Sequence, residues 1–178
     1  LTSRFDVTIW YLQMHGAPAR SETTPEGVSV ARVRSPSTHF YRYLYETVGG
    51  PWLWVERRRM PDEELAAIIL DTDVHLYVVY EGGAPAGYFE LDGRQPLEVE
   101  IAYFGLMPEQ IGKGLGRWMM QECLARAWAL PDVARVWVHT CSLDHPRALS
   151  NYERAGMVRY DVREETVWDP RPLPISPR

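Results

Sequence analysis

Residues 109 to 120 read "EQIGKGLGRWMM", with glycine at 112, 114 and 116 directly ahead of a run with helical spacing. Glycine costs conformational entropy and packs no side chain, so a cluster of it marks backbone that must bend sharply or come close to something. From Leu115 to Leu130 the apolar positions Leu115, Met119, Cys123, Leu124 and Ala127 alternate with Arg117, Gln121, Glu122 and Arg126, and Pro131 closes the run. Upstream, "LEVEIAYFGLM" is long and rich in β-formers. The stretch therefore reads as strand, glycine turn, helix. Such a turn sets several free N–H groups at the positive end of a helix dipole, which suits phosphate or pyrophosphate.

Two other anion-binding patterns fit poorly. A P-loop needs G-x-x-x-x-G-K-[ST], but Lys113 is followed by Gly114, with no Ser or Thr to hold magnesium. A dinucleotide fingerprint needs G-x-G-x-x-G early in a βαβ unit with an acidic residue about 20 positions on. Here the spacing is G-x-G-x-G, near mid-chain. A tight turn against the sheet explains one glycine more easily than three beside Pro108.

Working outward, "RFDVTIWYLQM" alternates as a strand and "ARSETTPEG" reads as a polar loop. Tyr41, Leu44, Tyr45 and Val48 recur at helical spacing over 38–48, with Ser37 as N-cap and Gly49 as the stop. A second helix starts with Pro61 at its first position, carries Asp62, Glu63 and Glu64 in the first turn, and buries Leu65, Ile68 and Ile69. "HLYVVYE" and "PAGYFEL" flank Gly82 and Gly83 as a hairpin. After the glycine turn and its helix come a strand in "ARVWVHTC", a short helix in "PRALSNYERAG" ending at Gly156, and a last strand in "MVRYDVREETVW". This order predicts one mixed α/β domain over 1–168, whose sheet need not be purely parallel, followed by a Pro-rich tail over 169–178.

Composition supports a single folded unit. The chain has 178 residues, 46% apolar and 24% charged, ordinary for a globular protein. A net charge of −5 gives no reason to expect nucleic acid, whose binding rests on phosphate neutralisation. No apolar stretch approaches the roughly 20 residues that span a bilayer, and "LTSRFDVTIW" lacks a signal-peptide layout. Cys123 and Cys141 show no disulfide framework, so a reducing, cytoplasmic setting is expected.

Two segments resemble a known family, the GNAT superfamily of acyl-CoA-dependent N-acetyltransferases. "LMPEQIGKGLGRWMM" is similar to its strand, Pro, glycine turn and helix, and "ALSNYERAGM" to its late A-x-x-x-Y-x-x-x-G-F segment, with Met157 in place of Phe. Element order from about Val74 to Val167 also matches, while the first 70 residues match in outline. The resemblance implies a mixed, mostly antiparallel sheet of six to seven strands flanked by about four helices and splayed to admit the pantetheine arm. It implies acetyl-CoA as co-substrate, with no metal. By position, backbone N–H groups of Ile111, Gly112, Gly114, Gly116 and Arg117 would hold the pyrophosphate, and backbone at Leu106 the pantetheine. The family pattern is Q/R-x-x-G-x-G/A, and anchoring it on Gly114 and Gly116 puts Ile111 where Gln or Arg is expected. His145 falls where an Asn often contacts CoA.

N-acetyl transfer needs a neutral amine, yet a lysine-like amine has a pKa of about 10.4, so a base or a water chain is useful. Strict alternation along the strand before the turn puts Glu98, Glu100, Ala102, Phe104 and Leu106 on one face. Glu100 matches the position of the base in the histone-acetyltransferase branch of the family, with Glu98 behind it. Tyr152 occupies the place of the family's proton donor to the leaving thiolate; the bland alternative is a tyrosine packed on the inward face of a short helix. Tyr41, Tyr43, Tyr45, Trp52 and Trp54 lie where the family builds its acceptor pocket, and core packing accounts for part of them. His139, Cys141, Asp144 and His145 have no strong metal spacing, and Arg57, Arg58 and Arg59 read as a solvated charge run. The expected activity is acetyl transfer to a small-molecule or peptide amine in a ternary complex, without nucleic-acid or membrane partners; a homodimer is compatible with the sequence, which does not specify oligomeric state. The rival readings are a non-catalytic acyl-CoA-binding module on the same fold and a nucleotide-binding domain of another fold.

Overall fold

A single seven-stranded sheet carries the molecule, in the order β2-β3-β4-β5-β6-β1-β7. Its strands are β1 (Arg4–Met14), β2 (Val28–Val33), β3 (Val74–Glu81), β4 (Ala84–Asp92), β5 (Glu98–Leu106), β6 (Arg135–Cys141) and β7 (Val158–Trp168). The computed structural model describes residues 4–169, so most of the expected Pro-rich tail lies outside the described residues. Every neighbouring pair is antiparallel except β5 and β6, making the sheet mixed and mostly antiparallel as expected. Strand β2 is absent from the sequence expectation: "VSVARV" is short and comes after a long polar loop, and it pairs with β3 from Val28↔Glu81 to Val33↔Leu76. The N-terminal strand β1 lies between β6 and β7 and is bonded to both.

The helices are α1 (Thr38–Gly49), α2 (Glu56–Arg59), α3 (Asp62–Ile69), α4 (Leu115–Trp128) and α5 (Ala148–Arg154). Ser37 caps α1 as its sequence predicts, its hydroxyl accepting from the Phe40 N–H at 3.2 Å, and the helix buries Tyr41, Leu44, Tyr45 and Val48. Pro61 is the N-cap of α3 rather than its first residue, and Ile68 is half-buried while Leu65 and Ile69 are buried. The expected charge run at 57–59 forms the short helix α2, which sequence periodicity could not show in a single turn.

Two apolar clusters sit on opposite faces of the sheet. One packs Leu76, Val78 and Tyr88 of the strands against Tyr41, Leu44, Tyr45 and Val48 of α1 and Leu65 and Ile69 of α3. The other packs Phe89, Val99, Ile101, Val136 and Val138 against Met119, Cys123 and Leu124 of α4 and Tyr152 of α5. The period of two along β3 divides its side chains, Leu76 and Val78 to the first and Val79 to the second. Gly105 lets α1 approach β5 closely, because a Cβ there would stand 2.3 Å from Val48 Cγ1.

Two irregularities mark β5. Glu90 faces Tyr103 but Leu91 faces Ile101, leaving Ala102 as an extra residue on β5. A bulge reverses which residues point to which face. Val99 and Ile101 before it, and Phe104 after it, therefore pack on the α4 side, while Tyr103 packs on the α1 side. The expected common face for Glu98, Glu100, Phe104 and Leu106 is thus corrected. The glutamates share the α1 side with Tyr103, and Phe104 and Leu106 point to the other. The second irregularity is that parallel pairing with β6 covers only Glu98↔Arg135, Val99↔Val136 and Glu100↔Trp137. Beyond Glu100 the two strands part.

Candidate active site

The glycine turn lies where β5 hands over to α4. Pro108–Gln110 forms one 3-10 turn, in which the Ile111 N–H donates to the Pro108 carbonyl at 3.3 Å. Ile111 therefore spends its N–H within the turn. Gln110, one residue earlier, donates from Nε2 to Glu81 Oε2 at 2.6 Å, tying the turn to the β3–β4 hairpin. Gly112 and Gly114 hold φ of +85° and +91°, the left-handed region that disfavours any residue with a Cβ. Nothing stands within 4 Å of where a Cβ would project from either.

Gly114 is also the N-cap of α4, with no side chain capping the helix. The first-turn N–H groups of Leu115, Gly116 and Arg117 have no partner inside the helix by construction. They meet the open glycines at the positive end of the dipole, an arrangement that suits a pyrophosphate. Gly116 differs from the other two: its Cβ position lies 3.5 Å from Leu106 Cδ1, an ordinary packing distance against the end of β5. The Arg117 side chain is largely exposed and pairs with Glu22 at 2.8 Å. The Ser21 and Glu22 N–H groups donate to Gln121 Oε1 at 3.0 and 2.8 Å, so the polar loop after β1 lies along α4.

At the point where β5 and β6 part, polar groups gather on the α1 side. Glu100 Oε1 is 3.3 Å from His139 Nδ1. The Tyr103 hydroxyl donates to Glu56 Oε2 at 3.1 Å. Asp144, in the loop after β6, accepts from Trp54 Nε1 at 3.0 Å, from the Thr140 hydroxyl at 2.7 Å and from the Cys141 N–H at 3.0 Å. Hydrogen bonding to Glu100, with Asp144 and Glu56 adding their charge, holds His139 above the ordinary imidazole value. Trp54 packs on Tyr103 at 5.2 Å between ring centres, and Trp52 meets the His145 ring edge-on at 5.0 Å. His145 Nδ1 accepts from the Arg147 N–H at 3.1 Å.

Tyr41 and Tyr45, expected to wall an acceptor pocket, are instead core residues at 0% and 1% exposure. The Tyr41 hydroxyl donates to Glu90, a fully buried carboxylate on β4 whose other oxygen accepts from Arg57 Nη2 at 3.0 Å. Arg57 is buried too, which corrects the solvated reading at that position, whereas Arg58 is half-buried and Arg59 exposed. Burial pushes the Glu90 carboxyl up, and its pairing with Arg57 offsets part of that. Burial likewise raises Tyr45 to about 12. Arg57 also stacks over Tyr103, 5.5 Å from the ring centre, so this buried pair steadies the residue that holds Glu56.

Tyr152 lies on the opposite side, buried on α5 with its ring 6.3 Å from that of Phe104. Burial, with Asp144 and Cys123 nearby, raises its hydroxyl well above the ordinary phenol value, so it stays protonated. The charge of Asp144 contributes to raising both His139 and Tyr152. No group of three or more His, Cys, Asp or Glu among the described residues could hold a metal. Both cysteines are free thiols, Cys123 in the core and Cys141 on β6.

The sequence pattern of the acetyltransferase (GNAT) family matches residues 39–157. The chain belongs to that family. No curated protein matches it in sequence. Among solved structures, this GNAT chain is similar to a GCN5-related N-acetyltransferase from Kribbella flavida at 16% identity, covering 92% of this chain and 58% of that one with a TM-score of 0.61. A GCN5-related N-acetyltransferase from Sphaerobacter thermophilus is 18% identical, with 92% and 51% covered and a TM-score of 0.61. A mutant of the spermidine N-acetyltransferase SpeG from Vibrio cholerae is 16% identical, with 81% and 95% covered and a TM-score of 0.58. These likenesses show the shared fold. The chain spans a little over half the length of the Kribbella and Sphaerobacter proteins. No helix among the described residues is long and apolar enough to cross a membrane.

Proposed function

We propose that this GNAT chain moves an acetyl group from acetyl-CoA to a primary amine by direct attack in a ternary complex. The observation that carries the reading is the split between β5 and β6, with an open glycine turn at one end and Glu100 at the other. Bound acetyl-CoA supplies a thioester carbonyl for attack. The N–H groups of Gly112, Gly114, Gly116 and Arg117 hold its pyrophosphate, and unpaired backbone along β5 to Leu106 takes the pantetheine arm. His145, beside Trp52, is a second polar group for the same ligand.

Glu100 takes a proton from the acceptor ammonium, which frees the nitrogen lone pair. The N–C bond forms, the C–S bond breaks, and Tyr152 gives its proton to the leaving sulfur, regaining one from the new amide nitrogen. Asp144 and Glu56, with the rings of Trp52, Trp54 and Tyr103, favour an acceptor that arrives as a cation. The spermidine N-acetyltransferase among the structural neighbours is in keeping with a cationic acceptor on this fold. Two free thiols fit a reducing, cytoplasmic setting.

The test is a panel of polyamines, aminoglycosides, amino acids and peptides, assayed for CoA thiol release and for acetyl on nitrogen by mass spectrometry. One cationic class is expected to be turned over. Tight acetyl-CoA binding with no turnover of any amine would favour a non-catalytic acyl-CoA-binding module.

A further inference from the structure

A base that is largely covered must lose its proton before the next turnover. The Glu100 side chain is 23% exposed, beside the point where two strands part, and it faces His139 Nδ1 at 3.3 Å. The His139 side chain is 48% exposed. Its ring packs beside those of Tyr11 and Trp137, with centroids 5.9 and 6.2 Å away. Since Nδ1 faces Glu100, Nε2 is the nitrogen at the far side of the ring. The imidazole thus joins a covered carboxylate to open solvent.

We propose that His139 is the proton outlet of the acceptor site, taking from Glu100 the proton that the acceptor ammonium gives up and releasing one from Nε2 to water. This rests on the acetyltransferase reading, with Glu100 as base. Protons balance: the ammonium N–H passes to Glu100, the Glu100 proton passes to Nδ1 of an imidazole protonated at Nε2, the Nε2 proton leaves to water, and proton exchange with water returns the ring to the Nε2–H tautomer before the next turnover. His139 acts through Glu100 and is a positioning and relay residue. The groups that face it are Glu100 from β5, Asp144 from the loop after β6, Glu56 from α2 and the Tyr11 ring from β1. All three carboxylates favour imidazolium, so the outlet opens only as His139 loses its proton, above the ordinary imidazole value of about 6.5.

A ring held only for packing would be indifferent to that ionisation. The first measurement is an NMR titration of the His139 imidazole in the ligand-free protein and in Glu100→Gln. The expected result is a wild-type midpoint above 6.5 that falls in the variant; a midpoint at or below 6.5, or one unmoved by the variant, overturns the proposal. The second is the pH profile of kcat/KM with a turned-over amine, which reports the ligand-free enzyme. The wild-type acid limb should coincide with the NMR midpoint. His139→Gln should lower kcat on the order of 10-fold with KM little changed and move the limb to lower pH, and added imidazole should restore rate to His139→Ala. An active wild type with an unaltered profile in His139→Gln overturns this proposal alone. A wild type that acetylates no amine while His139 still titrates with Glu100 overturns the acetyltransferase reading beneath it.

Discussion

Glu100 and Phe104 lie on opposite faces of β5, although they are four positions apart and plain alternation would put them on one face. The extra residue at Ala102 is the cause, since Glu90 pairs with Tyr103 while Leu91 pairs with Ile101. The bulge allows one strand to offer a carboxylate to the acceptor side and apolar residues to the α4 core. Deleting Ala102 should bring Ile101 and Tyr103 into plain alternation opposite Leu91 and Glu90, with Glu100, Ile101, Tyr103 and Phe104 each on its native face. A cooperative unfolding transition is expected to survive the deletion; its loss would contradict this account of the strand.

Gly105 sets how closely α1 can pack. Replacing it with Ala places a Cβ 2.3 Å from Val48 Cγ1, and α1 must shift to relieve it. Overpacking of this kind costs about 1–3 kcal/mol. Denaturant unfolding should show that loss for Gly105→Ala, and the double variant with Val48→Ala should recover part of it.

The glycines of the turn should separate in behaviour. Gly114→Ala forces a Cβ onto a residue at φ +91° and should cost roughly 1–2 kcal/mol while weakening acetyl-CoA binding. Gly116 sits in the first turn of α4 with ordinary packing space, so Gly116→Ala should be neutral or stabilise by up to about 1 kcal/mol. Equal losses from the two would contradict the distinction.

Arg57→Met leaves the Glu90 carboxyl buried without its cation, a change worth about 3–5 kcal/mol. Arg57→Met with Glu90→Leu should cost much less. In the single variant Glu90 is held further above its unfolded value of about 4.5. A group raised in this way favours folding when protonated and loses that contribution as pH rises from the unfolded value towards the folded one. Arg57→Met should therefore be more destabilised at pH 8 than at pH 5.

Glu100→Gln removes the partner that raises His139. A raised imidazole stabilises the fold fully below its unfolded value of about 6.5, and that stability fades as pH climbs through the folded value. The urea midpoint of Glu100→Gln should fall below wild type at pH 5.5 and match it at pH 9. The opposite order would rule out the pair as drawn.

Much of the fold is legible in the sequence because its signals are local. Ser37 before a stripe of Tyr41, Leu44, Tyr45 and Val48 specifies a capped helix, and Gly82–Gly83 between alternating runs specifies a hairpin. What stays hidden depends on distant partners. Arg57 looks solvated until Glu90 meets it, and a lone Glu within "AGYFEL" is the only hint. The bulge at Ala102 is invisible without its partner strand, so strict alternation puts Glu100 on a shared face that does not exist. His139 and Asp144 invite a test for metal spacing, whereas their contacts are with Glu100, Trp54 and Thr140. Tyr41 and Tyr45 follow the helical period into the core, against the acceptor-pocket expectation.

Tyr152→Phe keeps the buried ring and removes the hydroxyl. Turnover should fall on the order of 100-fold while acetyl-CoA affinity stays near wild type. Because burial keeps that hydroxyl protonated, no limb of the pH profile below pH 10 should belong to it. Unchanged turnover would remove its role as proton donor.

The central claim is that the glycine turn and the parted strands form an acetyl-CoA site. Calorimetric titration with acetyl-CoA, run beside ATP and NAD, tests it most directly. One-to-one binding of acetyl-CoA is expected, weakened in Gly114→Ala, with neither nucleotide competing. Preference for ATP or NAD, or no binding of acetyl-CoA, would contradict it.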